Sequence, residues 1–223
     1  RSNFFLFISL FLIVYVSLAF GVVAGVQPFR QERYVKPLVL IHIIASMGWL
    51  IVFAYQSLLI KKQQLERHRK MRSLASILVV ISATFSIYIT YAWGSGMRFV
   101  AESRDVLGFA FLFLLAMRSL KTHDFESHKR LMLMASLNLI HPAHVRVPNI
   151  FDWPVFMSIP ITLLFWIGIP IAYDKMSQGK IHKATKLGLA ITLISFVVVI
   201  LIVFSPLMPM IDMLIYGEVT QLD

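Results

Sequence analysis

The segment that decides the fold is residues 37–60, which read PLVLIHIIASMGWLIVFAYQSLLI without one charged side chain. Two further stretches, residues 4–26 and 187–211, are equally free of charge. Each exceeds the roughly 20 apolar residues that an α-helix needs to cross a hydrocarbon core about 30 Å thick. The sequence therefore predicts an all-α integral membrane protein.

The composition agrees with that fold class and excludes several functions. Across 223 residues, 58% are hydrophobic and 14% are charged, whereas soluble domains carry about 25% charged residues. A water-soluble enzyme is excluded. The net charge of +10 does not indicate nucleic-acid binding, because the basic residues occupy short loops. There they face anionic lipids of the inner leaflet. Without cysteine, histidine becomes the main soft metal ligand.

The charges of the loops predict the membrane topology of the chain. Seven apolar segments can be drawn, at about 4–26, 37–60, 73–93, 106–120, 131–147, 150–173 and 187–211. With seven spans, 15 of the 21 lysines and arginines fall on one side of the membrane. The positive-inside rule then places the N-terminus in the cytoplasm and the C-terminus outside. We expect one transmembrane domain, residues 1–223, in a bacterial inner membrane.

A repeated pattern stands at three helix starts on the basic side. His68, His128 and His182 are each followed by a basic residue and an apolar run, at spacings of 60 and 54 residues. This is the length of a helix hairpin, so the fold is predicted to be one helix plus three hairpin repeats. Three imidazoles at one end predict a zinc site with an open fourth position, as in a zinc-dependent membrane hydrolase. Headgroup contact is the alternative role of these histidines.

Three carboxylates are close in sequence to the predicted zinc site on the basic side. Asp124 and Glu126 precede the fifth segment, and Asp174 precedes the last loop. These carboxylates are predicted to orient the metal ligands or to act as a general base.

A second histidine group lies at similar depth near the other side. His42 is in the second segment, and His141 and His144 share one helical face with Asn138 in the fifth. Ionisable groups inside spans are functional candidates. Histidines from two facing helices are able to ligate haem b, and imidazole also suits copper or zinc. Interhelical hydrogen bonding is the structural alternative.

Several segments resemble an uncharacterised group of bacterial multispanning membrane proteins. They are His42 with Trp49 and Gln56, His68-Arg69, His128-Lys-Arg-Leu-Met and Gly179-Lys-Ile-His182. The resemblance covers the second to seventh segments and implies that these four histidines belong to the common pattern. The stretch from His141 to His144 departs from it. A looser similarity connects the histidines at helix ends to seven-helix zinc-dependent membrane hydrolases, which also use a buried serine and aspartate.

Three functional hypotheses follow. The first is a metalloprotein that uses His68, His128 and His182, and its most specific form is a zinc-dependent membrane hydrolase. The second is a haem b electron carrier using His42 with His141 or His144. The third is a non-catalytic subunit or assembly partner of a larger membrane complex, without a cofactor. The apolar segments contain no paired carboxylates, and we expect no buried Asp or Glu in the interior of the bundle. This argues against a proton-driven transporter or pump.

Overall fold

A computed structural model describes residues 3–26, 36–93 and 95–217, which form helices and turns without a strand. The helices are α1 Phe4–Val26, α2 Pro37–Lys61, α3 Leu65–Lys70, α4 Arg72–Trp93, α5 Gly96–Lys121, α6 Phe125–Leu139, α7 His141–Ile150, α8 Ser158–Leu163, α9 Ile169–Gln178, α10 Lys183–Val203 and α11 Leu207–Tyr216. A 3₁₀ turn, Val155–Met157, precedes α8, and a π turn, Leu164–Gly168, joins α8 to α9.

Five helical stretches are long and apolar enough to cross a bilayer. They are Phe4–Val22, Pro37–Lys61, Leu65–Ala92, Val155–Gln178 and Lys183–Val203. A membrane protein is therefore supported on length and composition. The predicted segments 106–120 and 131–147 are not among the five. Helix α5 carries charged residues along its length, and the 131–147 segment is divided between α6, of 15 residues, and α7, of 10 residues.

Hydrophobic side chains on the outside of the bundle point to the same environment. Phe7 on α1 is 70% exposed, and Ile194 and Leu201 on α10 are both 64% exposed. Contiguous apolar surface of this kind would be costly in water and is expected against lipid. Inside, Trp49 packs edge-on against Phe109 and donates a 3.1 Å hydrogen bond to the hydroxyl of Ser136.

The turns of the bundle collect at two ends. The basic end contains the turns at residues 62–71, 122–124 and 179–182, where Lys183 lies 3.2 Å from Asp124. Helix α1 also begins there, because Phe4 packs on Tyr173 with ring centroids 4.7 Å apart. The far end contains the start of α5 and helix α11, where the backbone N–H of Gly96 donates to Asp212 over 2.7 Å.

Four of the predicted segments differ from the helices that form. The 150–173 segment begins in α7, crosses the non-helical residues 151–154 and stops five residues before the end of α9. The 131–147 segment is broken at Ile140 between α6 and α7, and the 187–211 segment is broken at residues 204–206 between α10 and α11. Prolines explain both breaks, since Pro142 and Pro206 stand where the second helix of each pair begins and lack the N–H that would continue the first. Helix α5 begins at Gly96, ten residues before the predicted 106–120 segment.

Candidate functional site: a charged network and a cavity at the far end

A buried ion pair on α5 organises the far end. The guanidinium of Arg104 donates to the carboxylate of the adjacent Asp105 over 2.6 Å. The same guanidinium donates to the carbonyl of Thr192 and to the hydroxyl of Ser195 on α10, and it lies 4.3 Å from the ring centre of Trp166. With so many partners, the Arg104 charge is compensated inside the bundle.

His141 completes this group, which we call the far-end network: Arg104, Asp105 and His141. The Nδ1–H of His141 donates to the second carboxylate oxygen of Asp105 over 2.6 Å. A carboxylate that accepts from Nδ1–H fixes the imidazole tautomer and leaves Nε2 as the acceptor. The two α5 residues are thereby connected to α7, the helix that begins after the break at Ile140.

His144 lies beside the far-end network with a different partner. Its ring centre is 6.0 Å from that of His141, and its Nδ1 is hydrogen-bonded to the hydroxyl of Tyr15 on α1 over 2.8 Å. His144 is fully buried, and its Nε2 has no partner among the described residues. The structure therefore brings the two predicted histidines of α7 together.

The other two residues of that predicted site are engaged elsewhere. His42 donates from Nδ1 to the carbonyl of Ser82 on α4 over 3.2 Å. The amide nitrogen of Asn138 donates to the carbonyl of Met134 and to the hydroxyl of Thr192. These contacts are interhelical or local hydrogen bonds of the kind expected in membrane bundles. Haem b or copper at this group stays a prediction.

A cavity of about 980 Å³ opens beside the far-end network. It lies between α1, α2, α4, α5 and α7, and its walls are mainly apolar. Its polar lining consists of Ser17, His42, Ser46, Ser86, Thr90, Arg98, Glu102, Asp105, Arg146 and Asn149. Typical small-molecule sites occupy about 300–1,000 Å³ with few polar groups on apolar walls, so this cavity has the size and chemistry of a ligand site.

The charged side chains of the cavity differ in how many of their polar atoms have hydrogen-bond partners. Glu102 accepts a 3.1 Å hydrogen bond from Thr90 and lies 3.8 Å from Arg98. Arg146 donates to the carbonyl of Pro142 over 2.6 Å, and its guanidinium lies 4.1 Å from the ring centre of Phe20. Its Nε is buried without a partner among the residues described. Arg146 therefore has donor capacity to spare in the cavity lining, as does Arg98, whose closest approach to Glu102 is 3.8 Å.

The three histidines of the basic end do not form a cluster. His128 donates from Nδ1 to the carbonyl of Ala116, and His68 is near enough to interact with it electrostatically. His182 is the N-cap of α10, and its Nδ1 accepts from the N–H of Ala184 over 3.1 Å. Within the described ranges, no three histidine or carboxylate side chains converge as a metal site would require. Zinc binding by His68, His128 and His182 stays a prediction.

The carboxylates predicted to assist that site have structural partners. Asp174, which is fully buried, accepts from Arg130 over 2.6 Å and from the backbone N–H of His182 over 2.7 Å. Glu126 accepts from the same Arg130 guanidinium. Asp124 caps α6, and hydrogen bonds from the backbone N–H and the hydroxyl of Ser127 lower the pKa of Asp124 to about 2.

Sequence reasoning missed the buried acids of the bundle. Asp105, Asp174 and Asp212 are all buried, so the expectation of an interior without carboxylates is wrong. Asp105 stood one residue outside a predicted segment, and Arg130 was counted as a loop charge. The adjacent opposite charges of Arg104 and Asp105 beside an apolar run were the available signal, because buried charges are normally paired.

The chain was also compared with known proteins. It matches no protein-family model, no curated protein and no solved structure, so its function is inferred from its own side chains.

Proposed function

We propose that this protein is a multi-pass membrane protein that binds an amphiphilic molecule carrying an acidic or carbonyl oxygen. The observation that supports this proposal most directly is the cavity of about 980 Å³, with apolar walls and the spare donor of Arg146. An apolar molecule alone would take the exposed part of the Arg146 guanidinium out of water without giving it a new partner, at a cost of about 1–3 kcal/mol. A fully polar one would gain nothing from the apolar walls.

The remaining charges of the cavity favour one position for the polar group. Asp105 is held by Arg104 and His141, and Glu102 lies beside Arg98 and Thr90. Because these acids already have donors, they offer little to a cationic ligand. A ligand oxygen placed at Arg146 gains a charge-assisted hydrogen bond. The apolar part of the ligand then lies along Val16, Met47 and Leu50.

The membrane topology proposed with this function has seven transmembrane crossings, with the basic end in the cytoplasm of a bacterial cell. Two features support a crossing by α5 although its composition is polar. Helix α5 has 26 residues and runs from the far end to the basic end. Its most polar groups, Arg104 and Asp105, face protein and not lipid, which is how charges are accommodated in spans.

A direct binding measurement tests the proposal. Tritiated oleate serves as the probe, because it joins one carboxylate to an apolar chain, and its binding to purified protein in detergent is read by scintillation proximity. We expect Arg146→Ala to weaken binding at least about tenfold, equivalent to about 1.4 kcal/mol. We expect Val16→Trp to reduce binding by filling the cavity while leaving its charge unchanged.

The matched control is Arg69→Ala, which removes the same charge from an exposed position at the basic end. It should bind oleate as the unaltered protein does. Equal oleate binding by Arg146→Ala, Val16→Trp and the unaltered protein would contradict the proposal.

A further inference from the structure

A second concave surface lies at the basic end, away from the cavity. We call it the basic-end groove; it has a volume of about 300 Å³ and is formed where α5 ends and where α6 and α10 begin. Its lining residues are Leu115, Arg118, Ser119, Thr122, Ser127, Leu131, Lys183, Ala184 and Leu187. The groove thus combines cations, hydroxyls and leucines from three helices.

Two cations from different helices flank the groove. Arg118 comes from α5 and is exposed, and among the described residues it forms no ion pair. Lys183 comes from α10 and lies 3.2 Å from Asp124, but its side chain is 79% exposed. Exposed ion pairs contribute only about 0–1 kcal/mol, so the Lys183 ammonium is free to exchange this partner for a stronger anion. A phosphate between the two cations would be bound by both.

The hydroxyls of the groove act as acceptors. Ser119 donates to the carbonyl of Leu115, Thr122 donates to the carbonyl of Ser119, and Ser127 donates to Asp124. Each hydroxyl proton is therefore already used, while the oxygen lone pairs are available. Such oxygens suit a ligand that brings its own hydroxyl donors beside the phosphate.

The floor of the groove is apolar and continues onto the lipid-facing surface. Leu131 is buried, Leu115 is partly buried, and Leu187 is 48% exposed on α10. A soluble phosphate compound would leave the exposed surface of Leu187 uncovered. An acyl chain attached to the phosphate would cover it and gain about 25 cal/mol for each Å² of apolar surface removed from water.

We propose that the basic-end groove binds the headgroup of an anionic phospholipid with a hydroxylated headgroup, of the phosphatidylglycerol type. The phosphate lies between Arg118 and Lys183, the headgroup hydroxyls donate to Ser119 and Thr122, and one acyl chain follows Leu187. This site is separate from the cavity of the far end and does not depend on what that cavity binds.

Native mass spectrometry of the full chain in detergent tests the site. The protein is titrated with dioleoylphosphatidylglycerol, with dioleoylphosphatidylcholine and with glycerol phosphate. The test variant is Arg118→Ala with Lys183→Ala, and the matched control is Arg69→Ala with Lys180→Ala. The control removes two exposed charges from the same end but outside the groove.

We expect the Kd for phosphatidylglycerol to rise at least tenfold in the test variant and less than twofold in the control. Phosphatidylcholine should bind the unaltered protein at least tenfold more weakly, and glycerol phosphate should not displace the bound lipid. Equal losses in test and control variants would mean that general charge attraction is responsible and would overturn the proposal. Displacement by glycerol phosphate would overturn it in favour of a soluble phosphate ligand.

Discussion

His182 shows how one side chain of the basic end is committed to the fold. Its Nδ1 accepts from the N–H of Ala184, which satisfies one of the free donors at the start of α10. Partial burial and the charge of Arg130 lower the pKa of His182 below its usual value of 6.5. The uncharged imidazole is therefore the form that the folded protein prefers. A metal at Nε2 would require the proton to move to Nδ1, which would break the cap.

The lowered pKa of His182 predicts that the stability of the folded protein depends on pH. Because the folded pKa of His182 is the lower one, the unfolded chain binds the proton more readily, and acid favours unfolding. The stabilisation that uncharged His182 provides is fully present above pH 6.5, and it declines as the pH falls from 6.5 toward the pKa of His182 in the folded protein. His182→Asn keeps a capping side chain without a titrating group. We expect the thermal midpoint in detergent to fall less between pH 7 and pH 5 for this variant than for the unaltered protein.

His182→Ala provides the control for the cap itself. It should lose about 1 kcal/mol at pH 7, as N-cap removals do, whereas His182→Asn should lose little. Identical pH profiles for the Asn variant and the unaltered protein would show that His182 does not carry the dependence.

For single residues, the sequence allowed the end of the bundle at which each histidine lies to be predicted, but not its hydrogen-bond partner. The basic residues beside His68, His128 and His182 correctly placed all three at one end of the bundle. The partner of His128 is the Ala116 carbonyl on another helix. Such a contact depends on how two helices are rotated against each other, which local pattern does not specify.

Among the elements, a buried ion pair joins α6 to α9. The side chain of Arg130 is 2% exposed and that of Asp174 is 0% exposed. Asp174 also holds the backbone N–H of His182 and so fixes the turn between α9 and α10. The two charged residues are 44 positions apart in the chain, so hydropathy alone assigned both to loops.

Removing one partner of this pair is expected to be costly. Asp174→Asn leaves the buried guanidinium of Arg130 with only the half-exposed Glu126 as counter-charge, and removing the buried partner of such a pair costs about 3–5 kcal/mol. Replacing both residues, as Arg130→Met with Asp174→Leu, should cost less than the single change because no charge remains buried. Thermal unfolding in detergent measures both.

Glu126→Gln is the comparison for this pair. Glu126 contacts the same arginine, but its side chain is 56% exposed, and a partner so exposed contributes about 0–1 kcal/mol. If Asp174→Asn and Glu126→Gln shifted the unfolding midpoint equally, burial would not be what makes the Asp174 pair important.

For the whole molecule, the proposed seven crossings depend on α5 and the α6–α7 pair. The chain contains no cysteine, so single cysteines are introduced without removing any. The positions are Met97 at the far end, Thr122 at the basic end and Asp152 in the turn after α7. Intact cells are labelled with a membrane-impermeant maleimide. We expect labelling of Met97→Cys and Asp152→Cys and none of Thr122→Cys until the cells are opened.

Each pair of positions isolates one crossing. Equal labelling of Met97→Cys and Thr122→Cys in intact cells would mean that α5 does not cross, and equal labelling of Thr122→Cys and Asp152→Cys would mean the same for the α6–α7 pair. Labelling of Thr122→Cys alone would reverse the proposed orientation.

The membrane class of the molecule was predictable because long uncharged runs have few stable alternatives. The contacts of the interior were not predictable, because the partners of a buried charge come from helices that are distant in the sequence. Arg104 and Asp105 illustrate this, since their partners come from α7 and α10.

The π turn at Leu164–Gly168 has a consequence for how this bundle tolerates length changes. A π turn accommodates one residue more than the α-helical path around it, and each residue of an α-helix advances the chain by about 100°. The wide turn absorbs this extra residue, so α9 keeps the angle that an α-helix one residue shorter would give it. If the same residue were added to an unbroken α-helix, α9 would rotate by about 100° and Asp174 would point away from Arg130. Deleting one residue at the π turn should therefore restore a regular α-helix and leave the ion pair in place, so this segment tolerates the loss of a residue better than the regular helix around it.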